Sequence, residues 1–263
     1  MRKLSKLAMV CWGAAAMLAF SGVSFADEGQ VTANIANGEK IYKNGIDAKN
    51  VPACSTCHGD NAMGNDDMGS PKLANVGYVY IVKQLTNFAE GKRTDLTLGV
   101  MNDIAKGLTA QDIRDLAAYE NGDDSKSRVL ELSDLKALEA GGKKIGEVYK
   151  GKMLVTYGDE EKRIPACQSC HGANGRGADP IFPKIAQQRY VYIVNQLTHW
   201  RDGTRANDPV LQGVGAMRAV AKKLSDDDIN NAAAYLSHAP DSTPGNGMPI
   251  DNETVMERIN IVR

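Results

Sequence analysis

Two short stretches of the chain repeat one pattern of residues that could do chemistry. The pattern Pro-Ala-Cys-x-x-Cys-His-Gly occupies residues 52–59 and again residues 165–172. Two cysteines separated by two residues and followed at once by histidine form the spacing at which a c-type haem is attached covalently. The predicted attachment residues, three in each copy, are Cys54, Cys57, His58, Cys167, Cys170 and His171. In this interpretation the cysteines bond to the porphyrin and the histidine lies beneath its iron.

Other uses of a Cys-x-x-Cys pair compete with this interpretation. A tetrahedral zinc site could be built from two such pairs, but it would leave the repeated histidine without a role. A thioredoxin-like dithiol needs a βαβ context, which the sequence does not show, and two short disulfides would also ignore the histidines. Haem attachment is therefore the preferred interpretation, and zinc and dithiol chemistry stay as alternatives.

The similarity between the two copies extends beyond the cysteine motifs. The motifs lie 113 residues apart, and the stretches 78–93 and 190–205 are identical at ten of sixteen positions. Residues 107–120 correspond to residues 223–236 in the same way. A repeat of this length indicates that one unit was duplicated and fused, so we expect two domains of similar structure.

The N-terminus has the features of an export signal. Arg2, Lys3 and Lys6 precede an apolar stretch, and small residues before position 27 form a cleavage site. We therefore predict a periplasmic protein. The mature chain would be mildly acidic, and it lacks the basic stripe that nucleic-acid binding requires. The predicted intervals are a signal peptide over 1–26, a first domain over 27–121, a linker over 122–136, a second domain over 137–238 and a C-terminal tail over 239–263.

The second axial ligand of each iron decides between electron transfer and reaction with small ligands. Methionine in that position is typical of an electron-carrying cytochrome c. A true ligand should occur in both copies, and Met101 and Met217 each lie seven residues before a leucine of the last-helix pattern. Met63 and Met68 have no methionine at the aligned positions of the second copy. The predicted iron ligands are therefore His58, Met101, His171 and Met217.

The paired methionines could have a structural role instead of binding iron, and so could the two remaining histidines. Core filling is a common role of methionine and is the alternative for Met101 and Met217. His199 and His238 are not duplicated. We expect both of them to pack against neighbours or to face solvent.

Wherever the spacing of apolar residues is clear, it predicts a helix. Val79, Val82 and Leu85 recur at three-residue spacing and predict the apolar face of a helix that ends near Gly91. Capping boxes are predicted to begin the last helix of each copy. The capping pairs are Thr109 with Asp112 and Ser225 with Asp228.

These motifs resemble those of the dihaem cytochrome c4 family, and each half resembles a class I cytochrome c. The resemblance covers nearly all of residues 35–238. It implies an all-α fold of two tandem class I cytochrome c-like helical domains, each around one covalently attached haem c. It also implies that the carbonyls of Pro71 and Pro183 accept hydrogen bonds from the ligand histidines. Residues 148–164, interpreted as an insertion, and the C-terminal tail depart from the family pattern.

The function that these features predict is electron transport, with no substrate-turnover site. We expect a periplasmic carrier that shuttles electrons between respiratory-chain proteins and associates peripherally with membrane complexes. A quinol-oxidising complex or a dehydrogenase would be the donor, and a terminal oxidase or reductase the acceptor. Two alternatives stay open: an electron-accepting subunit of a periplasmic dehydrogenase, and a dihaem enzyme of peroxidase type. Such an enzyme would need one iron with an open sixth position.

Overall fold

The computed structural model describes residues 32–121, 132–178, 181–211 and 213–240. The predicted signal peptide lies outside the described residues, as do most of the predicted linker and the tail beyond residue 240. From Ala33 onward the described chain belongs to one compact unit. Among the described helices, none has both the length and the apolar character that crossing a membrane requires.

Helices make up almost all of the regular structure. Those of the first half are α1 (Ile35–Asn44), α2 (Ser55–His58), α3 (Tyr78–Ala89), α4 (Met101–Lys106) and α5 (Ala110–Asn121). A further helix, α6 (Leu132–Ala140), follows. Those of the second half are α7 (Val148–Tyr157), α8 (Gln168–His171), α9 (Tyr190–Asp202), α10 (Ala216–Ala221) and α11 (Asp226–Leu236). The halves repeat the same order of helices, so the predicted tandem all-α fold is confirmed.

One short hairpin interrupts the helical pattern of the second half. β1 (Val210–Leu211) and β2 (Val214–Gly215) pair antiparallel just before α10. The sequence pattern did not predict these strands. The connection from Arg205 to Met217 is four residues longer than its counterpart in the first half. A hairpin takes up such additional residues while its two ends stay close together.

Each half is held together by a close crossing of its first and last helices. α1 packs against α5, and α7 packs against α11. A glycine lies at each crossing: a Cβ atom on Gly38 would overlap the backbone of Asp115, and one on Gly151 would overlap the backbone of Asn231. Only a residue without a side chain allows the two backbones to approach this closely.

The segment 148–164 is not an insertion, so that interpretation was wrong. It begins with α7, which packs on α11 as α1 packs on α5. Gly151 in α7 lies 113 residues after Gly38 in α1, the same separation as that of the haem motifs. The error arose because the two helices share few residues beyond this glycine, although they have the same packing role.

The buried face of α3 also differs from the predicted one. Ile81, Gln84 and Phe88 are the buried residues of this helix, whereas Val79 is 44% exposed. The helix packs on α4 and α5, and its buried residues border an internal cavity together with Leu85. A helix between two different surfaces buries positions that the spacing of apolar residues alone does not select.

Both predicted capping boxes are present. The amide of Asp112 donates to Oγ1 of Thr109 at 3.1 Å, and the amide of Thr109 donates to the Asp112 carboxylate at 2.9 Å. Ser225 and Asp228 make the same two bonds at 3.2 and 2.9 Å. These bonds satisfy N–H groups that have no partner inside the helix. They set the start of α5 and α11, the helices that close each half.

α6 begins inside the interval predicted as a linker. Its Leu135 is 5% exposed and belongs to the same apolar core as Val148 and Leu154. The residues just before position 137 thus contribute to the core of the second half. The predicted domain intervals themselves stay predictions.

Buried polar contacts join the two halves. The amide of Lys72 donates to the carboxamide oxygen of Gln188 at 2.7 Å, and the Gln188 side chain donates back to the Lys72 carbonyl at 2.9 Å. The Asp66 carboxylate accepts from the amide of Val191 at 2.9 Å and lies 3.3 Å from the Arg189 guanidinium. Asp66 of the first half therefore caps α9 of the second, which fixes the two halves to each other.

Candidate functional site

One continuous cavity runs through the described part of the chain and reaches both halves. Apolar side chains such as Leu85, Phe88, Ile193 and Leu197 form part of its wall. All the residues predicted to hold the two haems also line it: Cys54, Cys57, His58, Met101, Cys167, Cys170, His171 and Met217. The structure thus brings every predicted site residue to the same internal space.

Each cysteine motif folds as a single helical turn. The amide of His58 donates to the carbonyl of Cys54 at 3.0 Å, and the amide of His171 donates to the carbonyl of Cys167 at 2.9 Å. Because residues three apart share one face of a helix, the two cysteines of a motif lie on the same side. The four motif cysteines are free thiols, which the disulfide alternative does not allow.

A proline carbonyl orients each motif histidine. Nδ1 of His58 lies 2.9 Å from the carbonyl oxygen of Pro71, and Nδ1 of His171 lies 2.9 Å from that of Pro183. A carbonyl can only accept, so Nδ1 carries the proton and Nε2 is left with its lone pair for a metal. Burial lowers the pKa of both histidines, although the proline carbonyls oppose the shift. Each imidazole is therefore held in the neutral, metal-binding form.

Burial makes the first thiol of each motif a weaker acid. Burial, followed by the charge of Glu120, raises the pKa of the Cys54 thiol to about 12. Burial raises the pKa of the Cys167 thiol to about 11. Both groups are protonated at neutral pH, whereas a reactive dithiol needs a thiolate. The dithiol alternative therefore loses support. The zinc alternative loses support for a different reason: among the described residues, no three or more His, Cys, Asp or Glu side chains lie together as a metal site requires.

Asp95 holds the loop that leads to Met101. Its carboxylate accepts from the amides of Thr97 at 2.9 Å, Val100 at 3.1 Å and Met101 at 3.2 Å. Burial raises the pKa of Asp95, but these backbone N–H groups lower it by more, so the net pKa lies below its usual value. The ionised carboxylate thus fixes Met101 at the first turn of α4, on the cavity wall.

Met217 is positioned by different contacts. It is the second residue of α10, directly after the hairpin. The buried Asp208 carboxylate accepts from the Arg218 amide at 3.0 Å and from Arg218 Nε at 2.9 Å. This double contact fixes the turn on which Met217 lies. The two halves therefore present the same type of side chain through different local structures.

Two side chains that the repeat argument set aside also line the cavity. Met68 is one, and His199, predicted to pack or face solvent, is the other. In addition, sequence reasoning missed two buried arginines on the wall, Arg93 and Arg205. Both end the repeated sixteen-residue stretch, and their identity in the two copies was the signal that could have found them.

The set of donors on the cavity wall fits two c-type haems. Each half supplies two free thiols, one imidazole with a free Nε2 and one thioether, as the geometry above describes. Thiols form the covalent links of a c-type haem, and histidine with methionine is the axial pair of an electron-transfer cytochrome c. No further chemistry is needed to explain why these groups are repeated.

Protonation of His199 is expected to raise the haem reduction potential at acidic pH. Burial lowers the pKa of His199, Arg205 and Arg93 lower it further, and Asp202 and Asp95 oppose them. The ring is thus neutral above about pH 6.5 and gains its proton only below that value. A proton adds positive charge to the cavity wall and favours the reduced state, so the potential should be flat near neutral pH and rise as the pH falls.

Potentiometric titration between about pH 5 and about pH 8 measures this dependence. Asparagine occupies the aligned position 87 of the first half, so His199→Asn is the substitution that tests the role of the imidazole. That variant should lose most of the rise. An unchanged pH profile in His199→Asn would show that another group titrates.

The comparisons with known proteins agree with this site. The sequence model of the family described as cytochrome c matches residues 35–119 and 148–240. The chain is 34% identical over 213 residues to a thiosulfate dehydrogenase electron acceptor of Stutzerimonas stutzeri (strain A1501), covering 81% of this chain and 91% of that one. It is 34% identical over 185 residues to cytochrome c4 of Pseudomonas aeruginosa, covering 70% and 82%.

Solved structures show the same relationship. A thiosulfate dehydrogenase from Marichromatium purpuratum matches 81% of this chain with a TM-score of 0.68 and 30% identity, and the match spans 42% of that longer protein. Reduced cytochrome c4 from Pseudomonas stutzeri matches 80% of this chain and 100% of its own, with a TM-score of 0.59 and 28% identity. The chain therefore belongs to the cytochrome c family as a dihaem electron-transfer cytochrome of the c4 type, with two covalently bound haem c groups.

Proposed function

We propose that the chain is a periplasmic electron carrier in which each iron is bound between a histidine and a methionine. His58 pairs with Met101 in the first half, and His171 pairs with Met217 in the second. The observation that supports this most is that both sets line one cavity, with both imidazoles oriented by proline carbonyls at 2.9 Å. Haem iron supplies one-electron chemistry by cycling between its ferrous and ferric states.

The protein's part in this function is to keep the iron ligands in place. The carbonyls of Pro71 and Pro183 hold the imidazoles, and the Asp95 carboxylate holds the loop before Met101. Ligands that do not move on reduction keep the reorganisation small, and the buried setting tunes the potential. Electron transfer needs nothing further from these side chains.

The location and the domain intervals belong to the same proposal. A signal peptide over 1–26 would deliver the chain to the periplasm, where c-type haem is attached in bacteria. The intervals 27–121 and 137–238 would form the two haem domains. The family matches at 35–119 and 148–240 support two units of about this extent.

We propose that the chain has no catalytic turnover of its own. The same imidazole and thioether are available in both halves, and an enzyme of peroxidase type would need an iron that lacks the thioether. The partners would then be redox proteins, with a quinol-oxidising complex or a dehydrogenase as donor and a terminal oxidase or reductase as acceptor.

A periplasmic thiosulfate dehydrogenase is the second candidate for the donor. A thiosulfate dehydrogenase electron acceptor aligns over 81% of this chain, against 70% for a cytochrome c4. The matching thiosulfate dehydrogenase structure also has a higher TM-score, 0.68 against 0.59. These observations support, beside the respiratory carrier, a role as acceptor for an enzyme that oxidises thiosulfate.

Mixing experiments separate the carrier from the enzyme. The purified oxidised protein should stay oxidised with thiosulfate alone and become reduced, at both haems, when a thiosulfate dehydrogenase is added. Absorbance of the reduced haem follows the reaction. Reduction by thiosulfate without the dehydrogenase would indicate catalysis by this chain. Reduction by a quinol-oxidising complex but not by the dehydrogenase would support the respiratory carrier over the dehydrogenase acceptor.

A further inference from the structure

The cavity walls of the two halves differ at one position of the last helix. Glu120 of α5 is only 2% exposed and lines the cavity, and Leu236 of α11 lines it at the equivalent position. The Glu120 carbonyl accepts from the Asn75 amide at 3.0 Å, and the Leu236 carbonyl accepts from the Gln187 amide at 2.7 Å. Because these backbone bonds match, the two side chains start from the same place in each half. The first half therefore has a buried carboxyl group where the second has a hydrocarbon.

A second difference lies in the first helix of each half. Tyr42 of α1 is fully buried, and the residue 113 positions later, in α7, is Val155. The Tyr42 hydroxyl donates to the Gly59 carbonyl at 2.5 Å, and its ring centre lies 5.4 Å from that of Tyr119. Two buried positions that are apolar in the second half are thus polar in the first.

The charge of Glu120 reaches the first haem-attachment residue. Burial raises the pKa of the Cys54 thiol, and the Glu120 charge is the second cause that raises it. The same two causes, in the same order, raise the pKa of Tyr42. Burial also raises the pKa of the equivalent Cys167 thiol, but there the charge that adds to burial is that of Cys170. The carboxyl group therefore acts electrostatically on the place where the first porphyrin would be attached.

Titratable groups on the elements around Glu120 have partners of their own. They lie on α1, on α3 and in the loop before α3. The groups and their partners are Lys43 with Glu39, Lys72 with Gln187, Tyr80 with Arg205 and Lys83 with Asn207. The Tyr42 phenol and the Cys54 thiol are uncharged at neutral pH, because their pKa values are raised. Neither of these two groups can neutralise a charge on Glu120.

The charge of the haem beside it determines how easily this carboxyl group ionises. A buried carboxylate is costly unless a positive charge lies nearby. A haem gains one positive charge when its iron is oxidised and loses that charge when the iron is reduced. Oxidation therefore favours the carboxylate, whereas reduction favours the protonated acid. A group that binds its proton more tightly in the reduced state links electron uptake to proton uptake.

We propose that the Glu120 carboxyl group is a proton-binding site linked to the first haem: it takes up a proton when that haem is reduced and releases it on oxidation. The electron comes from the redox partner and the proton from solvent, so ferric haem and carboxylate become ferrous haem and carboxylic acid. The second half has Leu236 at this position and takes up its electron without this proton. This inference rests on the two histidine–methionine irons proposed above.

The first measurement uses the wild-type haem protein and needs no substitution. The side-chain carboxyl groups of glutamate are labelled with carbon-13, and an infrared difference spectrum compares the reduced with the oxidised state. The C=O stretch of a protonated carboxyl group should appear on reduction and shift with the label. The absence of such a band, in a sample with two histidine–methionine haems, would overturn the proposal. If optical spectra of the sample lack two such haems, the proposed ligands fail, independently of Glu120.

The second measurement compares the wild type with Glu120→Gln by spectroelectrochemistry between about pH 5 and about pH 8. Glutamine stays neutral, so the first haem of the wild type should have the lower potential, by an amount that grows as the pH rises. At the alkaline end we expect at least a tenfold difference in its oxidised-to-reduced equilibrium, or about 59 mV for a one-electron couple. The methyl signals of the two ligand methionines, followed by nuclear magnetic resonance, report each haem separately. His199 contributes equally to both proteins.

Two outcomes of this comparison would contradict the proposal. A difference at the first haem that stays constant with pH would indicate a fixed charge at Glu120 and no proton uptake. A difference of equal size at the second haem would show that the effect is not confined to the half that contains the carboxyl group.

Asp115→Asn is the matched control, because it removes a buried carboxyl group from the same helix. Asp115 is 1% exposed and accepts from the Asn34 amide and the Asn37 side chain, both at 2.7 Å, at the crossing with α1. The second half has Asn231 at this position, so the amide is compatible with the fold. This variant should keep the pH dependence of the wild type at both haems. Loss of that dependence here as well would show that a change in packing is the cause.

Glu120→Leu keeps the test decisive if the glutamine variant fails to take up haem. It places in the first half the residue that the second half has at 236, where leucine is 3% exposed on the cavity wall. Its first haem should show the same pH-dependent difference from the wild type, and the infrared band should be gone. A band that persists in this variant belongs to another glutamate and would refute the assignment.

Discussion

The Met101→Ala variant is expected to lose the thioether at one iron and to lower its reduction potential by on the order of 100 mV or more. His58 keeps its orientation, because the Pro71 carbonyl still holds Nδ1 at 2.9 Å. The reduced variant should bind one carbon monoxide per chain, while the wild type binds none. The sulfur-to-iron charge-transfer band should lose about half of its intensity, since one of two thioether ligands is gone. Optical spectra, gas titration and spectroelectrochemistry measure the three effects.

Met217→Ala should give the same result at the other iron. Met68→Ala is the control, because Met68 lines the same cavity but has no counterpart in the second half. That variant is expected to keep the full charge-transfer band and to exclude carbon monoxide. If Met68→Ala opens an iron and Met101→Ala does not, the ligand assignment in the first half is wrong.

Gly151→Val should destabilise the second half by about 3 kcal/mol or more. A Cβ atom at this position meets the backbone carbonyl of Asn231, and backbone cannot move aside as a flexible side chain can. α7 and α11 would have to separate, which would loosen the apolar core around Val155 and Ala233. Chemical denaturation followed by circular dichroism measures the loss. Gly38→Val should have the same effect on the crossing of α1 with α5.

Gly141→Ala controls for the loss of a glycine. A Cβ atom there would lie 3.4 Å from the carbonyl oxygen of Leu138, an ordinary contact, and the backbone needs no left-handed conformation. Alanine should therefore leave stability unchanged or raise it slightly. Equal destabilisation by Gly151→Val and Gly141→Ala would argue against the close helix crossing as the cause.

The haem-attachment motifs were predictable because they are local. Cys54, Cys57 and His58 lie within a single helical turn, so their spacing along the chain already sets their relative positions. The methionine ligands were predicted from the repeat, because the two copies can be compared position by position. A position that serves the same purpose in both copies keeps the same residue type, and this singled out Met101 and Met217, both of which line the cavity.

Three expectations failed for a common reason. Residues 148–164 were interpreted as an insertion, the apolar face of α3 was misplaced, and the hairpin before α10 was not foreseen. Each of these features depends on which surfaces of the folded chain pack together. Helices with different residues can make the same packing contacts. Gly151 was the one shared residue that marked α7 as the partner of α11.

The cofactor chemistry and the doubled architecture can be deduced from the residues in order along the chain, because covalent attachment and helical capping act over a few positions. The buried contacts of Arg93 and Arg205 with the opposite half cannot, because their hydrogen bonds join residues 99 to 125 positions apart. Only folding brings the halves together, and it places two buried cations beside the cavity of both haems. Contacts across that distance depend on how the helices of one half pack against those of the other, and residue spacing does not determine that packing.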